Sequence, residues 1–339
     1  MRFVGNSDAI CVAFYETSVN LHFAGKPMRR PRHGKLHMCG IVGLFFKNRS
    51  FEPRLGEYFG EMLACMASRG PDSAGFAVYG SNAPEGSGKF TLYHPSLDYP
   101  WEKVAASFQA ADGSPPQWER FSTHAVFVIP GPESAARALL REQYPEVKVM
   151  SAGQRIQIMK EIGPPGDIIE RFHVRGMSGT HAIGHTRMAT ESAVTTAGSH
   201  PFSTGPDLCL VHNGSLSNHN NLRRNLRREG IEFETENDSE VAAGYISSWL
   251  NRGDSLKTAL ERALDDLDGF FTFAVGARDG FAVLRDRIAC KPAVMAETDD
   301  YVAMSSEYRS LVPLPGIEQA RLWEPEPGTV YSWSLPNAS

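Results

Sequence analysis

Met38-Cys39-Gly40 runs straight into Ile41-Val42-Gly43-Leu44-Phe45-Phe46, a continuous apolar stretch that stops at Lys47-Asn48. A short apolar run bounded by polar residues is the pattern of a strand buried in the core. A thiol therefore stands at the head of a core strand, directly after a methionine. If Met38 is the start and is removed, Cys39 carries both a thiol and a free α-amine. An α-amine titrates at roughly pH 7.7–8.0, which suits it to take the thiol's proton. A thiol is a weak nucleophile until that proton leaves, so such a cysteine needs no partner histidine. Taken alone, the tripeptide reads equally well as a small buried cysteine at a strand edge.

Four further segments follow in order: Ser68-Arg69-Gly70-Pro71-Asp72-Ser73-Ala74-Gly75, His185-Thr186-Arg187-Met188-Ala189-Thr190, His212-Asn213-Gly214 and Asn237-Asp238-Ser239-Glu240. Arg285-Asp286 and Ser305-Ser306-Glu307 close the series. Together with Cys39 these segments resemble the class II glutamine amidotransferase domain, an N-terminal-nucleophile hydrolase. Each is a weak signal alone; it is the shared order that carries the resemblance. It covers roughly residues 38 to 335, interrupted by a long insertion at about 80–176. It implies an α+β fold, a four-layer αββα sandwich, which periodicity alone does not show.

The five cysteines, Cys11, Cys39, Cys65, Cys209 and Cys290, are odd in number and lack CxxC spacing, against both a disulfide framework and a zinc site. A free thiol nucleophile belongs in a reducing compartment, and no apolar run approaches the 18 or so residues that span a bilayer. The cytoplasm is the expected location. A net charge of -5 leaves no nucleic-acid or membrane footprint, and Arg223-Arg224 and Arg227-Arg228 read as a solvated helix face. Residues 1–38 have their basic cluster, Met28 to His33, last rather than first, which is not the order of a secretory signal. They are expected to be a propeptide or a start set too early, absent from the active protein, with the amidotransferase domain over 39–339.

Along the chain, Ile41–Phe46 is expected as a strand and residues 54–68 as a helix, with Leu55, Phe59, Met62, Leu63 and Met66 on one face. A turn and a strand over Ala74–Tyr79 follow. Residues 80–88 read as a loop. Inside the insertion, residues 125–129 and 147–150 read as strands, 132–144 as a helix and 156–159 as a strand. Strands at 181–186 and 208–212 precede helices at 218–228, 238–250 and 255–267, and short strands finish the chain. Runs of strands interleaved with paired helices indicate layered architecture.

The resemblance implies the residue roles. Free glutamine carries an α-carboxylate, which Arg187 would grip with its planar fork, and an α-ammonium, which Asp238 would take. Asn213 and Gly214 would donate to the oxyanion formed when the Cys39 sulfur attacks the γ-carboxamide. Arg69 and Thr190 would lie at the substrate, and His185 and His212 would sit behind the site rather than act as bases. The plainer alternatives are a surface ion pair for Arg187, an N-cap for Asp238 and a hairpin turn for Asn213-Gly214. Met188 departs from the aromatic residue usual in the sugar-phosphate and purine branches.

No acceptor-domain motif is found: no nucleotide loop, no phosphoribosyl motif and no cysteine cluster. No cofactor or metal is therefore expected on this chain. The domain is similar to the stand-alone amidotransferase subunits of split glutamate-synthase-like systems, N-methylglutamate synthase and GlxB-type proteins. That implies a synthase partner that receives the ammonia and carries any flavin or iron–sulfur group. Two alternatives stand beside it: a glutamine-binding regulatory subunit whose nucleophile is never exposed, and a free-standing amide hydrolase.

Overall fold

The structure is a computed structural model that describes residues 39–108, 113, 115–188 and 194–335. Thr190 and the segment 1–38 lie outside the described residues.

The chain opens with strand β1 (Gly40–Phe46), helix α1 (Leu55–Ala64) and strand β2 (Ser73–Tyr79). Next come β3 (Ser87–Tyr93), α2 (Trp101–Ala106), β4 (Gln117–Phe121), β5 (His124–Pro130), α3 (Glu133–Gln143), β6 (Lys148–Gly153) and β7 (Ile156–Ile162). Then follow α4 (Pro165–Arg171), β8 (His181–Arg187), β9 (Phe202–Gly205), β10 (Leu208–Leu216) and three helices, α5 (His219–Arg228), α6 (Asp238–Asn251) and α7 (Leu256–Asp266). The chain finishes with β11 (Gly269–Ala277), β12 (Gly280–Arg285), β13 (Val294–Glu297), β14 (Tyr301–Ser305), β15 (Arg321–Trp323) and β16 (Val330–Ser334).

Two large antiparallel sheets face each other. One is seven-stranded, ordered β15-β13-β14-β1-β8-β2-β7; the other is five-stranded, ordered β16-β12-β11-β10-β9. The apolar run read from the sequence becomes β1, buried at every position and third from neither edge but central, between β14 and β8. Both its faces are covered because three cores lie in succession. Phe59, Met62, Leu63, Ile168 and Phe172 from α1 and the α4 region pack on Val42, Leu44 and Phe76 of the seven-stranded sheet. Ile41, Phe45, Ile158 and Ile183 meet Cys209, Val211, Ala274 and Val283 between the sheets. Leu210, Phe271 and Phe273 meet Leu226, Val241, Ile246 and Leu260 of α5, α6 and α7. Helix, sheet, sheet, helix is the αββα order.

β4, β5, β3 and β6 form a separate four-stranded antiparallel sheet with its own core, where Phe90, Trp101, Phe127 and Leu140 meet. β7 leaves this subdomain and pairs with β2 along the edge of the seven-stranded sheet. Asp207 ties the exit turn down: its carboxylate accepts the backbone N–H of Gln154 (2.6 Å), Arg155 (2.7 Å) and Ile156 (3.0 Å).

Three local readings change. β3 begins at Ser87, inside the stretch read as a loop. Asn237, not Asp238, caps α6, its side chain accepting from Ser239 N, so Asp238 is the first helical residue. Asn213-Gly214 is not a hairpin turn: both lie within β10, opposite Thr272 and Phe271 of β11.

Candidate active site

Cys39 immediately precedes β1, and the register Gly40↔Thr186 sets it at the same end of the sheet as Arg187, the last residue of β8. The thiol is free and half-buried. Two side chains converge on the Cys39 backbone. Arg69 Nε donates to its carbonyl at 3.1 Å, and Asn213 Nδ2 donates to the same oxygen at 3.3 Å. Strands from both sheets therefore meet at this residue, Arg69 arriving from the turn before β2 and Asn213 from β10.

Arg69 is buried and its Nη1 is paired with Glu307 Oε1 at 2.8 Å. Ser306, one residue earlier, accepts the Ile41 N–H at 3.0 Å and returns its own N–H to the Ile41 carbonyl at 2.9 Å. The Ser305-Ser306-Glu307 segment thus clamps the first turns of β1 from one side. Gly70 is needed by close approach: a Cβ there would stand 2.5 Å from Arg187 N. The turn presses on the end of β8, and Asp72 N donates to the Arg187 carbonyl at 3.1 Å. Arg187 is held by its backbone on the β2 side and is half-buried, not a surface residue.

Gly214 has φ +153, and a Cβ there would lie 2.0 Å from the Phe270 carbonyl. Only glycine lets β10 run this close to β11. Behind it, Asp286 is buried and accepts Phe271 N at 2.8 Å, fixing the strand that Gly214 touches. Asp238 sits one strand-end away: Oδ2 accepts Leu216 N at 2.8 Å, and Ser239 Oγ donates to Oδ1 at 3.3 Å. Ser239 Oγ also lies 2.9 Å from His212 Nδ1, so the serine links the carboxylate to the histidine.

The histidines are neutral. Burial pushes His185 down to about 3, with the neighbouring His212 adding to the effect. Burial likewise takes His212 to about 4, against the opposing pull of the Asp238 carboxylate. His185 Nε2 donates to the His212 carbonyl at 3.1 Å. A pKa pushed this low makes each ring a weak base, and His185 Nε2 is in addition committed to a carbonyl.

The structure thus joins Cys39, Arg69 and Asn213 by direct contact, and sets Gly214, Arg187 and Asp238 around them. Glu307, Ser306, Asp286 and Ser239 are the supporting residues that motif reading alone did not assign. The signal for Glu307, Ser306 and Asp286 was polar residues just past the ends of apolar strands, and for Ser239 a small polar residue in the first turn of α6. The half-buried Cys39 thiol thus stands on a backbone that two side-chain N–H donors from different parts of the fold hold in place.

Comparison with known proteins identifies the family. Residues 185–313 match the family model of the glutamine amidotransferase domain. The chain is 58% identical over 303 residues to the glutamine amidotransferase-like protein GlxB of Rhizobium meliloti, covering 89% of this chain and 100% of that protein. It is 34% identical to a putative glutamine amidotransferase of Methanothermobacter thermautotrophicus, over 81% of this chain and 93% of the relative. Glutamine–fructose-6-phosphate aminotransferase of Acidithiobacillus ferridurans matches at 30% identity, but the chain spans only 27% of that enzyme. Among solved structures, the glutamine phosphoribosylpyrophosphate amidotransferase of B. subtilis superposes with a TM-score of 0.53 at 18% identity. That match covers 88% of this chain and 50% of the solved one and concerns the fold. The chain belongs to the glutamine amidotransferase family.

Proposed function

We propose that the chain is the glutaminase component of a two-part system, hydrolysing the glutamine side-chain amide through a thioester on Cys39 and passing ammonia to a glutamate-synthase-like partner. The observation that carries the chemistry is the convergence of Asn213 Nδ2 and Arg69 Nε on Cys39 from opposite sides. With Cys39 as the first residue, its α-amine takes the thiol proton and the sulfur attacks the γ-carboxamide carbon. The resulting oxyanion is met by the Asn213 amide and the Gly214 N–H. The protonated amine returns its proton to the leaving nitrogen, the C–N bond breaks and ammonia departs. Water then cleaves the C–S bond and releases glutamate.

Arg187 holds the substrate α-carboxylate, Asp238 its α-ammonium, and Arg69 fixes the Cys39 backbone. This chemistry requires residues 1–38 to be absent from the active chain. Ammonia released into neutral water becomes ammonium and loses its nucleophilicity, which favours delivery to an acceptor on a partner chain. The four-stranded subdomain offers an additional surface for such a partner.

The test is labelling with a glutamine-mimicking diazoketone followed by intact mass and peptide mapping. The expected result is one adduct, on a Cys39 that is the N-terminal residue. An adduct on Cys65, Cys209 or Cys290 with Cys39 unmodified would overturn the assignment.

A further inference from the structure

Lys160 lies in β7, outside everything assigned above, yet it is buried and fully committed. Its Nζ donates to three backbone carbonyls, those of Ala197 at 3.0 Å, Ser199 at 2.7 Å and Pro201 at 3.1 Å, and it sits 4.7 Å from the centroid of the Phe202 ring. Burying an ammonium is costly unless it is well partnered. Burial pushes its pKa down to about 8, with Glu240 and Glu234 opposing that and Lys148 adding to it. This investment holds one segment, residues 197–202, in place.

The sheet register shows why that segment matters. Lys160 pairs with Gly75, Gly75 with His185, and His185 with Ile41, one row across β7, β2, β8 and β1. Gly75 leaves a gap in the row. A Cβ there would lie 2.1 Å from the His200 carbonyl and 2.4 Å from Lys160 Cβ. His200 occupies the gap, its ring stacked on His185 with centroids 4.0 Å apart. Among the described residues neither buried His200 ring nitrogen has a hydrogen-bond partner, and the ring's contacts are those of an aromatic plate. His185 in turn donates to the His212 carbonyl, and the next residue is Asn213.

We propose that Lys160 and His200 are positioning residues for the Asn213 and Gly214 donors, bracing β10 through the His200–His185 stack and the His185–His212 hydrogen bond. The brace rests on the reading of Asn213 as an oxyanion donor. Loss of a whole oxyanion donor lowers kcat by about a hundredfold or more. A donor kept but loosened costs less, about tenfold.

The test measures ammonia release from glutamine in purified chain that begins at Cys39. Lys160→Met and His200→Ala should each lower kcat about tenfold while KM for glutamine stays within about twofold. His200→Phe, which keeps the plate, should restore most of kcat. Lys160→Met placed on Asn213→Ala should add clearly less than its tenfold loss in the parent chain, because only the Gly214 donor is left to loosen. Additive losses in that pair, or wild-type kcat in a folded Lys160→Met variant, would overturn the brace. If Lys160→Met does not fold, the His200 pair decides: equal kcat for His200→Ala and His200→Phe overturns it. Wild-type kcat in Asn213→Ala would be read separately, as failure of the oxyanion assignment itself.

Discussion

At the scale of single residues, the proposed substrate role of Asp238 asks one carboxylate to serve structure and substrate together. Oδ2 is committed to Leu216 N, and among the described residues Oδ1 accepts a longer bond from Ser239. The N-cap task that would otherwise occupy it belongs to Asn237. The side chain stays partly exposed, at 22%, and its charge has room to meet a substrate ammonium. Asp238→Asn removes the charge and keeps an oxygen for Leu216. It should therefore raise KM for glutamine by tenfold or more with the melting temperature nearly unchanged. Asp238→Ala also strands the Leu216 N–H and should lose an additional 1–2 kcal/mol or so of stability. On the other side of the substrate, Arg187→Lys keeps the charge but not the fork, and should also raise KM. Steady-state kinetics beside thermal melts check all three; unchanged KM in both Asp238→Asn and Arg187→Lys would remove these residues from substrate recognition.

At the scale of elements, the turn between β6 and β7 is where the four-stranded subdomain returns to the main sheet, and Asp207 holds it. Three N–H groups accepted by one buried carboxylate are left unsatisfied in Asp207→Ala, each at about 1 kcal/mol or more. The variant should lose about 2–4 kcal/mol in urea unfolding, while glutamine KM, set at the far end of the sheets, should hold. A loss below about 0.5 kcal/mol would show that water replaces the carboxylate. The sequence made the apolar strands β1, β2, β8 and β10 and the amphipathic helices α1, α3, α5 and α6 legible, because burial writes a period into them. β3 and β4 were not legible. β3 starts within a run rich in glycine, serine and proline, and the five residues of β4, Gln117–Phe121, are mostly polar and exposed. Asn213-Gly214 was ambiguous for a related reason: locally it is turn chemistry, and only the approach of Phe270 to Gly214 across the sheet decides that it stays in a strand. Cys39, Arg187 and Asp238 stood out in the sequence as candidates only through the shared order of their motifs. Asp286 and Glu307 stood in that series too, but their partners, the Phe271 N–H and Arg69, were not legible, and Lys160 carried no motif at all, because these contacts join residues or backbone groups far apart in the chain.

At the scale of the whole molecule, the αββα stack buries titratable rings as well as apolar ones. Burial pushes His124, His181 and His185 down to about 3 and His212 to about 4, and takes His200 well below its ordinary value. All of them are neutral in the folded chain above about pH 4. In the unfolded chain each titrates near 6.5. Between those limits the unfolded state binds more protons, so stability falls as the pH drops, by up to about 1.4 kcal/mol per pH unit for each histidine. About one pH unit above 6.5 neither state protonates them appreciably, and their contribution is flat. Several such groups acting together can remove a typical margin of about 5–15 kcal/mol within roughly two pH units. The melting temperature should therefore be level above about pH 7.5, begin to fall through pH 6.5 and fall steeply below pH 6, with net proton uptake on unfolding. His200→Phe takes one of these groups away and should make the fall shallower by about one proton. A melting temperature that held constant down to pH 5, or the same slope in His200→Phe as in the parent chain, would mean that these rings are not held neutral by the fold.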